Sequence, residues 1–174
     1  GIWSYKGSKR RSEFIGELSS GALVFDDYAH NPGKISATLK AFSSAYPNKR
    51  IVCIFQPHTY SRTKLLFEQF VRSFDDADTV IITNIYASLR EKKDPTVSSK
   101  QLADAIRLSP RRSPFGHLRG ARDVVFLPKL TDVVKYIDKK NYGEDTIIIT
   151  MGAGDIYKIN SKFEYRNPKQ IQMT

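Results

Sequence analysis

The chain alternates between two hydrophobic patterns. Short, unbroken apolar runs recur at Ala22–Asp26, Arg50–Phe55, Thr79–Thr83, Val124–Leu127 and Thr146–Met151. Runs of this kind, rich in Val and Ile, read as strands buried on both faces. Between them lie segments whose apolar residues follow helical spacing. In Pro32–Ala45, Ile35, Leu39 and Phe42 stand at i, i+4 and i+7, and proline suits the first helical position. Leu66, Phe67, Phe70, Val71 and Phe74 predict one continuous helix over Arg62–Phe74. Ser98 or Ser99 caps a helix reaching Arg107, with Leu102 and Ile106 facing inward, and Leu130–Ile137 predicts another. Glu13–Leu18 reads as an additional strand, and Ser19-Ser20-Gly21 as a hairpin turn into the first core strand. From Asn160 onward the apolar spacing fades, which predicts a flexible tail over residues 160–174.

Strand and helix in repeated alternation predict an α/β domain with a mostly parallel sheet and one antiparallel strand. The unusual polar residues then fall in one place. Asp26-Asp27-Tyr28-Ala29-His30-Asn31-Pro32 follows the first core strand, and Gln56-Pro57-His58-Thr59-Tyr60-Ser61-Arg62-Thr63 the second. Asn84-Ile85-Tyr86-Ala87-Ser88-Leu89-Arg90-Glu91 follows the third, and Gly152-Ala153-Gly154-Asp155 the last. In a parallel sheet these strand ends share one edge, and open α/β sheets bind ligands there. Simpler readings stand beside this one. Asp26 or Asp27 can cap the helix that starts at Pro32. Gly152-Ala153-Gly154 is either a tight turn or a place where a phosphate approaches the backbone. Arg62 opens a helix, where a cation opposes the helix dipole unless it meets an anion or an internal carboxylate. His30 and His58 lack the third His or Cys that a zinc site needs, so no metal site is expected.

Composition narrows the classes. The 174 residues, 40% of them hydrophobic, suffice for one core. The single cysteine, Cys53, lies inside an apolar run, which predicts packing rather than catalysis, excludes a disulfide framework and fits a reducing cytoplasm. No apolar run nears the roughly 18–20 residues of a membrane span, so no membrane partner is expected. The first residues lack the pattern of a signal peptide. Lys and Arg exceed Asp and Glu by 28 to 18, a net charge of +10 that favours anionic ligands without choosing among them. Five arginines (Arg107, Arg111, Arg112, Arg119 and Arg122) occur in a stretch free of carboxylates. They support a rival reading as a basic nucleic-acid-binding module, or simply a solvated loop. Against that rival, no nucleic-acid motif is present and the aromatics are spaced as core, so no nucleic-acid partner is expected. Also missing are the phosphate loop G-x-x-x-x-G-K-[ST], the nucleophile elbow and the zinc-protease motif.

Five segments, in order, carry a resemblance: Lys9-Arg10-Arg11, Asp26–Pro32, Phe55–Thr63, Ile85-Tyr86-Ala87 and Met151–Asp155. Together they resemble the C-terminal domain of the Mur ligases, above all the alanine-adding member. The resemblance spans about Gly7 to Ile156. It implies a Rossmann-like, three-layer fold of about six strands. It also divides the chain into a linker (1–12) from a central domain, the C-terminal domain proper (13–159) and a tail (160–174). The missing phosphate loop is explained if it belongs to that central domain, and the fragment is then inactive alone. The implied reaction is ATP-dependent amide formation in peptidoglycan synthesis, in the cytoplasm. ATP, with Mg2+ held mainly by the other domains, phosphorylates the lactoyl carboxylate of UDP-N-acetylmuramate, and L-alanine attacks the acyl phosphate. By resemblance, Asp27, Tyr28, His30 and Asn31 line the ATP side, with Asp27 accepting from the ribose. His58 and Arg62 are the catalytic candidates, and Arg62, Tyr60, Gly152 and Ala153 border the substrate. The central and N-terminal domains of the same enzyme are the implied protein partners. A murein peptide ligase or a folylpolyglutamate synthase-like enzyme is the alternative within the family. Two positions depart from its pattern. Asn31 stands where many relatives have a second histidine, and Thr59 where they have an arginine.

Overall fold

The computed structural model describes residues 10–88, 91–111 and 122–166. The strands are β1 (Glu13–Glu17), β2 (Leu23–Asp27), β3 (Arg50–Phe55), β4 (Thr79–Ile82), β5 (Asp123–Phe126) and β6 (Thr146–Met151). The helices are α1 (Pro32–Ala45), α2 (Tyr60–Leu65), α3 (Phe67–Val71), α4 (Ser99–Leu108) and α5 (Leu130–Lys140), followed by a 3-10 helix at Ile156–Lys162. The sheet order is β1-β2-β6-β3-β4-β5. β1 runs antiparallel to β2, and every other neighbouring pair is parallel. The last strand in sequence thus lies in the middle of the sheet, between β2 and β3.

Strand alternation sorts the core into two layers. Ile51, Cys53, Phe55, Ile147, Ile149 and Met151 face one side, where they meet Ile35, Leu39 and Phe42 of α1, Phe70 of α3 and Leu102 and Ile106 of α4. Val52, Ile54, Ile81 and Ile148 face the other, against Val133 and Ile137 of α5 and Ile156 and Ile159 of the 3-10 helix. This is the three-layer arrangement expected. Cys53 is fully buried in the first layer, and that burial pushes its thiol pKa well up, so it packs and does not react. Among the described residues no helix is long and apolar enough to cross a membrane.

Three expectations need correction. The helix predicted over Arg62–Phe74 is broken at Leu66, which has φ −109° and ψ 19°. One axis cannot serve both halves. The first turn is fixed at the rim through Thr59 and Glu91, while the rings of Phe70 and Phe74 pack tilted against Phe55, with centroids 5.6 and 5.4 Å away. The break leaves Leu65 81% exposed and buries Phe70 and Phe74. Second, the cap of α1 comes from Asn31, whose Oδ1 accepts the Lys34 N–H at 3.0 Å, and from neither aspartate. Third, order continues past Asn160. Asn160 and Phe163 are buried, Tyr165 donates to the Asn160 carbonyl at 2.8 Å, and Leu18 bridges Tyr165. Of the predicted tail, residues 167–174 lie outside the described residues, as do residues 1–9 of the predicted linker.

The split of the α2–α3 segment makes a direct prediction. Phe74→Ala should destabilise the domain by about 3–5 kcal/mol, as loss of a buried aromatic does. Leu65→Ala, two residues upstream of Phe67, should stay within about 0.5 kcal/mol. Urea unfolding of the two variants checks the difference, which a continuous amphipathic helix would erase.

Candidate functional site

The four polar loops do leave the same edge of the sheet, and hydrogen bonds tie them together. From the β6 loop, the Gly152 N–H donates to the Asp27 carbonyl at 3.2 Å. From the β3 loop, the Gln56 N–H donates to the Met151 carbonyl at 3.0 Å. The β4 loop joins at Tyr86, whose N–H donates to the Pro57 carbonyl at 2.8 Å and whose carbonyl accepts the Thr59 N–H at 3.0 Å. Gln56 is buried and uses both ends of its amide: Nε2 donates to Asp155 at 2.9 Å, and Oε1 accepts the Ile156 N–H at 3.0 Å.

The two glycines after β6 are required by this chain's own packing. Gly152 has φ +148°, and a Cβ there would stand 2.8 Å from the Gln56 carbonyl oxygen. A Cβ at Gly154 would meet the Gln56 side-chain oxygen and stand 2.6 Å from Cγ of Tyr86. The tight-turn reading of Gly-Ala-Gly therefore accounts for both glycines without a phosphate. Ala153, between them, is half-buried on the same loop.

On the β2 side, Asp26 is buried and neutralised by Arg10, whose Nε donates to it at 2.8 Å, while Thr150 donates to its other oxygen at 2.7 Å. Asp27, also buried, accepts the Ala29 N–H on Oδ1 and both the N–H and the hydroxyl of Ser12 on Oδ2. Three of the roughly four acceptor positions of that carboxylate are therefore already filled. Tyr28 stands 44% exposed between two cationic or polar groups: the Arg10 guanidinium lies 5.1 Å from its ring centroid, and the His30 ring meets it edge-on at 5.0 Å. Because the Tyr28 carbonyl can only accept, the 2.8 Å contact fixes the proton on Nδ1 of His30. Arg10 also contacts the Tyr157 ring at 4.6 Å and donates to the Gly152 carbonyl at 2.7 Å, joining the chain entry to the rim.

On the β3 side, His58 and Arg62 form a pair. Arg62 Nη1 donates to His58 Nδ1 at 3.2 Å. A guanidinium has no acceptor, so Nδ1 must be unprotonated and a neutral His58 carries its proton on Nε2. Burial lowers the His58 pKa below the ordinary 6.5, and the charges of Arg62 and His30 lower it further, while Glu91 opposes them. The His58 ring stacks on Tyr86, with centroids 5.7 Å apart and planes 15° from parallel. Thr59 between them has φ +68° and ψ 140°, a backbone region that disfavours a β-branched residue by about 1–3 kcal/mol. Its hydroxyl and carbonyl are both engaged with α2, accepting from Arg62 N–H and the Thr63 hydroxyl.

Sequence reasoning gave no role of their own to Arg10, Ser12, Gln56 or Glu91. Gln56 and Glu91 lie within the rim clusters it marked, but polarity in a loop does not reveal which groups face outward and which face each other. Glu91 accepts the N–H groups of Tyr60 and Ser61, each at 2.8 Å. Partial burial alone would raise its pKa, and these bonds together with the Ser61 hydroxyl hold it below 4.5 instead. Tyr60 thus enters the site through its backbone. Among the described residues no group of three His, Cys, Asp or Glu side chains stands in a metal-holding arrangement.

The basic stretch lies elsewhere, beside the segments that lead into β4 and β5. Arg122 is buried and pairs with Asp75 at 3.1 Å. Arg111 pairs with Asp78 at 2.9 Å and also binds the Asp75 carbonyl. Arg107 joins Asp104 to the Val124 carbonyl. These three arginines are tied to the chain's own carboxylates and carbonyls. Arg112 and Arg119 lie outside the described residues.

Comparison with known proteins agrees with this architecture. The family model described as Mur ligase, glutamate ligase domain, matches residues 10–154. The UDP-N-acetylmuramate–L-alanine ligase of Caldanaerobacter subterraneus subsp. tengcongensis is 45% identical over 168 residues, covering 97% of this chain and 33% of that protein. The enzyme of the same name from Acetivibrio thermocellus is 45% identical over 164 residues, covering 94% and 32%. The chain thus spans about a third of the length of the curated relatives it matches. Among solved structures, the UDP-N-acetylmuramate-alanine ligase of Thermotoga maritima aligns with a TM-score of 0.66 at 25% identity, covering 97% of this chain and 31% of that one. A murein peptide ligase from Psychrobacter arcticus shares the fold, with a TM-score of 0.65 at 22% identity over 91% of this chain and 30% of that one.

The His58–Arg62 pair predicts a pH dependence. With its folded pKa depressed, His58 takes up a proton less readily in the fold than in the unfolded chain. The fold is therefore unpenalised above the ordinary value and loses stability as pH falls through 6.5 toward the folded pKa. Histidine NMR titration should place the His58 midpoint below 6.5, and Arg62→Gln should move it upward. A midpoint at or above 6.5 would contradict the geometry.

Proposed function

The chain belongs to the Mur ligase family, as its glutamate ligase domain, and from that premise we propose that it closes over the active site of a UDP-N-acetylmuramate–L-alanine ligase. In this reading the protein forms the first amide of the peptidoglycan stem in the cytoplasm, and the present chain supplies contacts to ATP and to the amino acid. The observation that carries the assignment is the Arg62–His58 pair on the β3 loop, locked beside the Tyr28–His30 loop on a single rim.

The division of labour follows from the groups available. Arg62 meets His58 through Nη1 alone, which leaves a guanidinium edge for the carboxylate of L-alanine, the kind of anion that a planar fork suits. Neutral His58, with Nδ1 engaged by Arg62, presents Nε2–H as a donor to an oxygen that gains negative charge as the amine adds to the acyl phosphate. The new C–N bond forms, the bond from carbon to the phosphate oxygen breaks, and the surplus ammonium proton passes to solvent. No protein nucleophile is needed, so positioning and charge are the chain's contribution. Exposed Tyr28 offers its ring, and His30 its unengaged Nε2, to the nucleotide. Asp27 keeps one acceptor position for a ribose hydroxyl, and Asn31 keeps its amide nitrogen. Gly152 and Ala153 form the floor between the two halves. ATP arrives with Mg2+, which the other domains of the enzyme would mainly hold, and which would bridge its phosphates and neutralise their charge.

Arg62→Ala in the full-length enzyme removes a charge-assisted partner worth about 1.5–3 kcal/mol. The KM for L-alanine should rise roughly 10- to 100-fold while the KM for ATP stays within about twofold. A panel of amino acids and short peptides on the unmodified enzyme checks the substrate class. Preferred ligation of a peptide would assign the chain to a murein peptide ligase instead.

A further inference from the structure

The turn that carries His58 and Arg62 is not held by its own sequence. Thr59 sits at positive φ, which by itself favours unwinding of the turn, and α2 is only six residues long. The first N–H groups of such a helix have no partners within it. Here two of them point at one carboxylate from another loop: Glu91 Oε2 accepts the Tyr60 N–H and Oε1 accepts the Ser61 N–H, both at 2.8 Å. The grip is reinforced on either side. Tyr86, five residues upstream of Glu91, exchanges two backbone hydrogen bonds with Pro57 and Thr59 and stacks on His58. Three residues downstream of Glu91, Asp94 pairs with Lys64 at the far end of α2, at 3.0 Å. Glu91 is the only one of these groups that binds the turn between His58 and Arg62 with full negative charge, and its charge also acts on the His58 ring.

We propose that Glu91 is the positioning residue for the amino-acid side of this site, fixing the β3 turn so that Arg62 and His58 face the same substrate. The proposal rests on the reading that residues 58–62 receive the incoming amino acid. Glu91 touches no reacting atom and acts through the Tyr60 and Ser61 backbone. Its isostere Gln retains one acceptor oxygen but offers an NH2 group where the second N–H must be received, so one bond becomes a repulsive contact and the charge is lost.

The test uses Glu91→Gln and Glu91→Ala in the full-length ligase, with kinetics in L-alanine and ATP and histidine NMR of the same proteins. For Glu91→Gln the KM for L-alanine should rise about tenfold, the loss expected for one hydrogen bond to a charged acceptor, while the KM for ATP stays within about twofold. Glu91→Ala should give a larger rise with the same selectivity. In both, the His58 midpoint should move to lower pH, because the one nearby charge that favours the imidazolium is gone. An L-alanine KM within twofold of the parent's, or equal rises for L-alanine and ATP, would overturn the proposal, since a merely structural carboxylate loosens both halves together. If the parent enzyme does not use L-alanine, the functional reading fails on its own. Backbone NMR then decides for Glu91: displaced Tyr60 and Ser61 amide resonances in the variants uphold its hold on the turn, and unmoved ones refute it.

Discussion

The rim depends on a buried amide. Gln56 leaves the end of β3 and fills a gap that no apolar side chain can fill, because the Asp155 carboxylate and the Ile156 N–H face it from the loop after β6. Leaving either partner unpaired in a buried place would cost about 1–3 kcal/mol. Satisfying both fixes the two central strand ends against each other. The glycines at 152 and 154 follow from the same constraint, since any side chain there would displace Gln56 or Tyr86. With the β3 and β6 loops locked, Asp27 on one flank and Tyr86 on the other are each one hydrogen bond away. The candidate site is thus the surface of a closed internal network, and its functional side chains are those the network leaves over.

Charge divides along the same line. The net +10 suggests a protein coated with cations for an anionic partner. Three of the arginines are instead largely buried and paired internally. Arg122 and Arg111 neutralise Asp75 and Asp78 where the chain enters β4, and Arg10 neutralises buried Asp26. Buried pairs of this type are weak evidence for added stability but costly to break singly. Among the described residues, Arg62 reaches the rim with its contact to a neutral imidazole rather than a carboxylate. That placement suits an anion arriving from outside.

Most of the fold was legible in the sequence because strands and helices bury complete faces here. The bounds of β3, β6 and α1 follow directly from unbroken Val/Ile runs and from Pro32 and Ile35–Phe42 spacing. What was not legible depends on contacts between distant segments. The periodicity of Leu66–Phe74 is sound, yet the helix breaks because Thr59 and Glu91 fix one end and Phe55 the other. The order of residues 160–166 comes from Tyr165 and Phe163 packing under β1, which no local pattern announces. The rim clusters were visible as clusters, but the split between side chains left exposed or half-exposed at the rim (Tyr28, His58, Arg62) and those bound to other loops (Gln56, Glu91, Asp26) requires knowing which loop abuts which.

The central claim is that the loops after β2, β3, β4 and β6 act as one ligand-binding unit. Hydrogen–deuterium exchange of the full-length ligase, with and without ATP analogue and UDP-N-acetylmuramoyl-L-alanine, tests it most directly. The account predicts joint protection of residues 26–31, 56–62, 84–88 and 152–156, with residues 140–145 at the opposite edge of the sheet unchanged. Protection confined to one of the four loops, or centred on residues 140–145, would contradict it.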